Sequence, residues 1–154
     1  PLMKDTLYRN QLDSVTRRFL SAINLARMES VMRNEPVSIC PSPMAQTGVP
    51  ECSGLYAAGW IVFSNPDKDK VVDAGTDTVL RVFEGLPAGY SLTNRKGDRP
   101  AFELINYLPD GSSHNNRTLL FCGDGQGSAT SLSIVINIVG RPRLARGWGQ
   151  CPLA

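Results

Sequence analysis

From Leu7 to Arg33 the chain contains no proline and no glycine. Across this stretch Leu12, Val15, Phe19, Ala22, Ile23 and Ala26 recur at three- and four-residue steps, which puts one apolar face on an α-helix. Asp13–Arg17 and Glu29–Arg33 are acid-before-base pairs one turn apart, each adding a few tenths of a kcal/mol on an exposed face. Asn34 is a suitable stop. Pro36 then biases Glu35 out of the helical region. A long helix with one apolar face must bury that face on something, and the rest of the chain has to supply it.

Leu20, Leu25, Met28, Val31 and Met32 lie outside that face. They admit two readings. Loops or sheet cover them, or part of the helix packs against other subunits.

After Pro36 the pattern changes to short apolar runs broken by turn residues. Val37–Cys40, Gly59–Phe63, Thr78–Phe83, Tyr90–Thr93, Phe102–Tyr107, Thr118–Cys122 and Ser131–Val139 read as strands, because β-branched and aromatic residues cluster there. Pro41–Gly54, Asn65–Lys70, Leu86–Gly89, Pro109–Gly111 and Gly123–Gly127 read as loops and turns. One helix followed by about seven strands indicates an α+β fold with the helix covering an antiparallel sheet system. At 154 residues there is chain for one domain with a real core and too little for two ordinary ones. Residues 1–154 therefore read as one domain, with a helix over 7–34 and a β-rich part over 37–154.

Four cysteines, Cys40, Cys52, Cys122 and Cys151, are widely spaced, with no C-x-x-C pair and no histidine beside them. That spacing is wrong for zinc. An even count of this kind favours two disulfides and an oxidising compartment. Three pairings are possible. Cys40–Cys52 and Cys122–Cys151 are favoured because each closes a Gly/Pro-containing loop within its own half, at about 3 kcal/mol per closure in the chain-entropy account. No run approaches the roughly 18 apolar residues of a membrane helix. The start, Pro1-Leu2-Met3-Lys4, places a methionine after a Pro-Leu pair. It reads as a cloning remnant ahead of a trimmed chain, so a natural N-terminus, and a membrane segment with it, would be missing.

His114, the one histidine, lies in a turn-like Gly-Ser-Ser-His-Asn-Asn run without a nucleophile elbow, and reads as an exposed loop residue. Gly123-Asp-Gly-Gln-Gly127 is followed by a strand, whereas a dinucleotide site needs a helix there to hold the pyrophosphate. It reads as a hairpin loop. Asp67, Asp69 and Asp73 suggest calcium, but no register places glycine sixth and glutamate twelfth, so an ordinary charged hairpin is the better reading. The expectation is a non-enzymatic protein with no cofactor, no metal and no small-molecule substrate.

The basic tail is the one candidate binding patch. Gly140-Arg-Pro-Arg143 is followed by Arg146 and Trp148, with no acid from Gly140 to the end. The arginines Arg141, Arg143 and Arg146 could hold phosphates, and Trp148 could stack on a base. The plainer reading is a solvated edge strand whose arginines deter pairing with neighbours.

Phe19–Arg27, Glu29–Asn34 and Pro36–Cys40 together resemble the GspH/FimT family of minor pilins and pseudopilins. Gly59–Phe63, Val79–Val82, Leu86–Gly89, Pro109–Gly111, the strand ending at Cys122, and Gly140–Arg143 are similar to further landmarks of that family in the same order. Met28 and Met32 depart from it, standing where serine and lysine are frequent. The resemblance implies a type IV pilin-like fold, a long N-terminal helix on antiparallel sheet. It also implies a subunit anchored in the inner membrane by a preceding apolar half-helix, periplasmic before assembly and on the cell-surface pilus after it. Its partners would be other minor pilins and the major pilin. The work implied is structural, in the initiation or tip complex of a type IV pilus, with a type II secretion pseudopilin as the alternative. Some FimT-like members bind DNA for natural transformation through a Gly-Arg-x-Arg motif, which Gly140, Arg141 and Arg143 match here.

Overall fold

The computed structural model describes residues 2–113, 116–123, 131–149 and 151. The apolar spacing is realised as helix α1, Leu2–Arg33, which begins ahead of the expected Leu7. Leu12 and Val15 are buried, and Phe19, Ala22, Ile23 and Ala26 are wholly so. Thr16, inside that face, donates its hydroxyl proton to the Leu12 carbonyl at 2.7 Å, so no polar atom is stranded there. Asn34 ends the helix in the left-handed region at φ 54°, a conformation asparagine tolerates better than most residues.

Among the described residues eight strands follow. They are β1 Val37–Pro41, β2 Gly59–Ser64, β3 Val79–Glu84, β4 Ser91–Thr93, β5 Ile105–Tyr107, β6 Arg117–Cys122, β7 Leu132–Ile136 and β8 Pro142–Arg146. A short helix α2, Met44–Thr47, and a 3-10 turn, Tyr56–Ala58, lie between β1 and β2. The strands form two four-stranded sheets, ordered β3-β2-β1-β5 and β4-β6-β7-β8. Every pairing within them is antiparallel.

Helix α1 lies across both sheets, meeting β1, β2 and β5 of the first and β6, β7 and β8 of the second. Phe19 is central to that contact. Its ring centroid lies 5.2 Å from Tyr56, 4.9 Å from Trp60 and 5.8 Å from Phe121. Trp60 belongs to the first sheet and Phe121 to the second, so one side chain of α1 joins the two. The first sheet is buried on its outer face as well. There Cys40, Ile61 and Phe63 form a second cluster with Met44, Cys52, Val72, Val79 and Leu104. The Cys40–Cys52 disulfide, with Cα atoms 5.6 Å apart, fixes the loop that covers it.

Two expected strands are shorter than their apolar runs, and the basic tail forms an edge strand as its plainer reading had it. Phe102 to Leu104 is not strand; only Ile105–Tyr107 pairs, with β1. The Phe102 ring, 46% exposed, instead lies under the Lys70 ammonium. The seventh run stops at Ile136 because residues 137–140 turn, with the Gly140 N–H donating to the Asn137 carbonyl at 2.8 Å. Ile138 and Val139 are left exposed. The basic tail supplies the eighth strand.

Because Phe19 meets aromatic rings from both sheets, Phe19→Ala removes the contact they share. The expected cost is about 3–5 kcal/mol, read as a lowered midpoint in urea unfolding.

Candidate functional site

The turn at 137–140 fixes where the basic segment starts. Gly140 has φ 95°, and a Cβ there would lie 2.0 Å from the Gly111 carbonyl oxygen. Tyr107 donates its hydroxyl proton to the Gly140 carbonyl at 2.9 Å. The glycine of the Gly-Arg-x-Arg run is therefore required by backbone packing, whatever its arginines bind. Arg141, exposed, follows it, with its N–H donating to the Asn137 side chain at 3.1 Å.

β8 pairs with β7 from Pro142 opposite Ile136 to Arg146 opposite Leu132, and it forms one edge of the second sheet. Alternation along a strand separates its arginines. Leu144 packs against the core, and on that side Arg146 reaches α1, where its Nη2 lies 3.2 Å from Asp13 Oδ1. Arg143 points the other way. Asp13 had been expected to pair with Arg17; it takes Arg146 instead, while Glu29 and Arg33 pair within the helix at 2.7 Å. Both groups of the Asp13–Arg146 pair are substantially exposed, so this contact guides the strand more than it stabilises it.

Past Arg146 the chain turns at Gly147, φ 66°, and comes back across the outer face of the second sheet. Gly149 passes so close that a Cβ would lie 2.7 Å from Leu120 Cδ1, and the Ser131 hydroxyl donates to its carbonyl at 3.2 Å. The Cys122–Cys151 disulfide, with Cα atoms 5.8 Å apart, closes this return over a small buried cluster with Leu120. The tail is thereby a constrained loop.

This return positions Trp148 over the sheet. Its indole N–H donates to the Thr118 hydroxyl at 3.4 Å. The Arg143 guanidinium carbon lies 5.4 Å from the ring centroid, and that of Arg95 lies 4.2 Å from it. Arg95 also donates to the Trp148 carbonyl at 3.4 Å. The four residues singled out in the tail thus divide. Arg143 and Trp148 are together, Arg146 is turned to the helix, and Arg141 stands at the turn. The indole, expected to be free for a base, carries guanidinium groups. Arg95 was missed. Its signal was the basic turn Asn94-Arg-Lys-Gly-Asp-Arg99, but nothing in the linear order relates that turn to Trp148.

The other candidates are quickly placed. His114 and residues 124–130 of the glycine-rich loop lie outside the described residues; the flanking strands β6 and β7 are antiparallel partners. Asp67, Asp69 and Asp73 do converge, with one carboxylate oxygen of each within 4.8 Å of the others. The Asp67 hydrogen bond is the main cause that pushes Asp73 up to about 6, and the same bond lowers Asp67. Below that value a proton held between the two accounts for the opposite shifts. Burial raises the phenols of Tyr56 and Tyr107, which serve the core. The Tyr56 hydroxyl lies 2.6 Å from the Glu103 carbonyl and 3.0 Å from that of Ile39. A cleft of about 610 Å³ runs along α1 and is lined by Gln11, Ser14, Arg18, Gln46 and Glu84 among others. It offers hydrogen bonds but no nucleophile–base pair. No helix among the described residues is long and apolar enough to cross a membrane.

With this geometry in hand, comparison with known proteins is informative. The family model described as type II transport protein GspH matches residues 15–140. The chain belongs to this family of minor pilins and pseudopilins, which serve type IV pili or type II secretion. Its fold is type IV pilin-like. Two crystal structures of the type IV minor pilin FimU from Pseudomonas aeruginosa superpose on it. One has TM-score 0.63 and 15% identity, covering 97% of this chain and 96% of FimU. The other has TM-score 0.64 and 16% identity, covering 90% and 95%. The minor pseudopilin EpsH from the type 2 secretion system of Vibrio cholerae superposes with TM-score 0.54 and 15% identity, covering 88% of this chain and 97% of EpsH. No protein of curated function matches the chain. The matched span ends at residue 140, so the family model does not extend over β8.

The shared proton can be checked directly. Asp73 keeps its proton in the folded protein above the ordinary carboxylate range. Whatever that proton contributes is present at low pH and lost as pH rises through about 6. Carboxyl-carbon NMR should show that midpoint, and Asp67→Asn should return Asp73 toward about 3.9.

Proposed function

We propose that this chain is a non-enzymatic minor pilin of a type IV pilus, acting in the complex that initiates the filament or caps its tip. The observation that carries this reading is the second face of α1. Met28, Val31 and Met32 are 50%, 53% and 73% exposed on a helix whose other face is wholly buried. Apolar side chains left bare on the helix that organises the fold suit a subunit whose neighbours complete it. Those neighbours would be other minor pilins and the major pilin. The near end-to-end superposition on FimU favours the pilus over secretion, where the EpsH likeness is weaker. Two disulfides suit a periplasmic domain, anchored in the inner membrane by an apolar half-helix ahead of these residues and carried to the cell surface on assembly.

A second reading is favoured by a specific observation. Arg95, Arg141 and Arg143 are exposed, and among the described residues none of them forms an ion pair. Unpaired arginines on β8 and on the turns beside the second sheet suit the phosphates of DNA during uptake, bound weakly and without sequence preference.

Deleting the gene should reduce surface pili and twitching motility, and Met28→Glu/Val31→Glu/Met32→Glu should do the same without unfolding the domain. A secretion defect with normal pili would instead indicate a type II pseudopilin. For the second reading, DNA should bind the domain at low salt and weaken steeply at higher salt, with Arg141→Ala/Arg143→Ala abolishing it. Absence of binding at low salt would remove that reading and leave the first intact.

A further inference from the structure

The turn between β4 and β5 carries Arg95, Lys96 and Arg99, all exposed. It is held rigidly. The Asn94 N–H donates to the Arg99 carbonyl at 3.0 Å, the Gly97 N–H to the Asn94 carbonyl at 3.0 Å, and the Asn94 side chain to Asp98 Oδ1 at 2.7 Å. Asp98 is the carboxylate within this turn, and that bond engages one of its oxygens with the turn itself. The salt bridges among the described residues leave Arg95, Lys96 and Arg99 without an acidic partner. Trp148 joins this turn to the tail. It receives Arg95 on its ring and on its carbonyl, and Arg143 on the same ring. Two cationic segments that are far apart in sequence thus meet on one indole.

We infer that the β4–β5 turn is the second half of a phosphate-binding surface. Arg95, Lys96 and Arg99 join Arg143 to hold the backbone of a nucleic acid strand, and Trp148 is a positioning residue that sets the two halves side by side. This rests on the reading of the tail as a DNA interface and extends it to residues outside the Gly-Arg-x-Arg run. The physical ground is pre-organisation. A guanidinium lying on an indole is restrained by the cation–π attraction, while the N–H groups not already spent, as Arg95 Nε is on the Trp148 carbonyl, are left for a phosphate oxygen. Side chains fixed before binding lose less entropy when they bind. Because the ring already carries guanidiniums, it is not offered to a base. Recognition is then of phosphates alone, and single strands gain nothing over duplex through stacking.

The test is a fluorescence-anisotropy titration of the disulfide-intact domain with a labelled DNA duplex, and with a single strand of equal length, at several salt concentrations. Arg95→Ala/Lys96→Ala/Arg99→Ala should lower affinity at low salt about tenfold or more, and flatten the slope of log K against log salt by roughly 2–3. Arg9→Ala/Arg17→Ala/Arg81→Ala, equal in charge lost but placed elsewhere, should do much less. Trp148→Ala should approach the loss seen with Arg143→Ala, and Trp148→Phe, which keeps a ring, should restore most of it. If the turn variant binds like the parent while Arg141→Ala/Arg143→Ala loses binding, the tail alone is the interface and this inference fails. If Trp148→Ala leaves affinity unchanged, or single strands bind markedly tighter than duplex, the positioning role fails. No binding by the parent at low salt would overturn both this inference and the DNA reading beneath it.

Discussion

The meeting of Phe19 with Tyr56, Trp60 and Phe121 is the contact on which the architecture depends. Neither sheet is large, and each turns one apolar face toward the helix. Helix α1 covers both because its apolar face is long enough to lie across the pair, and Phe19 is where rings from both sheets arrive. Around it, Ala22 and Ala26 are wholly buried; small side chains there let the helix come close to the strands. Aromatic contacts of this kind add to plain area burial. The helix therefore acts as the spine against which the β-rich part is ordered, and its second face remains available for contacts outside the chain.

The periphery is held by covalent and backbone constraints. Each disulfide fixes a segment that crosses the outer face of a sheet: Cys40–Cys52 on the first and Cys122–Cys151 on the second. The second one shapes the basic segment. It brings the chain back after β8 and lays Trp148 over the sheet, where indole, Arg143 and Arg95 share one place. Gly140 and Gly149 permit this course because backbone passes where no Cβ would fit. A basic tail that would otherwise sample many shapes becomes a surface of defined shape. Edge position and charge also deter unwanted strand pairing along β8, so the same arginines serve solubility whether or not they meet phosphate.

The chain is a member of the GspH family. Its clefts along α1 present amides, a hydroxyl and an Arg–Glu pair of charges, groups suited to contacts between surfaces. The buried tyrosine hydroxyls are spent on backbone carbonyls, and among the crowded carboxylates of 67–73 the Asp67 hydrogen bond raises Asp73. What remains outward-facing is an apolar row on the helix and a cationic field on the second sheet.

The sequence by itself determined the helix, its buried face and its stop at Asn34, because three- and four-residue periodicity and a left-handed asparagine before Glu-Pro are local properties. It also determined most strands, since β-branched runs between turn residues are equally local. It misjudged Phe102–Leu104 and the 137–139 turn for the same reason: β-prone residues occupy these places, and only hydrogen-bond partners from elsewhere decide whether they pair. The pairing of β8, the grouping of strands into two sheets and the division of the arginines between faces were settled by tertiary structure. Alternation along an edge strand sends Arg143 and Arg146 to opposite sides, and nothing in Gly140–Trp148 says which side faces the core. Arg95 was illegible for a stronger reason. Its relation to Trp148 exists only after two sheet strands and a disulfide have closed the distance between residues far apart in the chain.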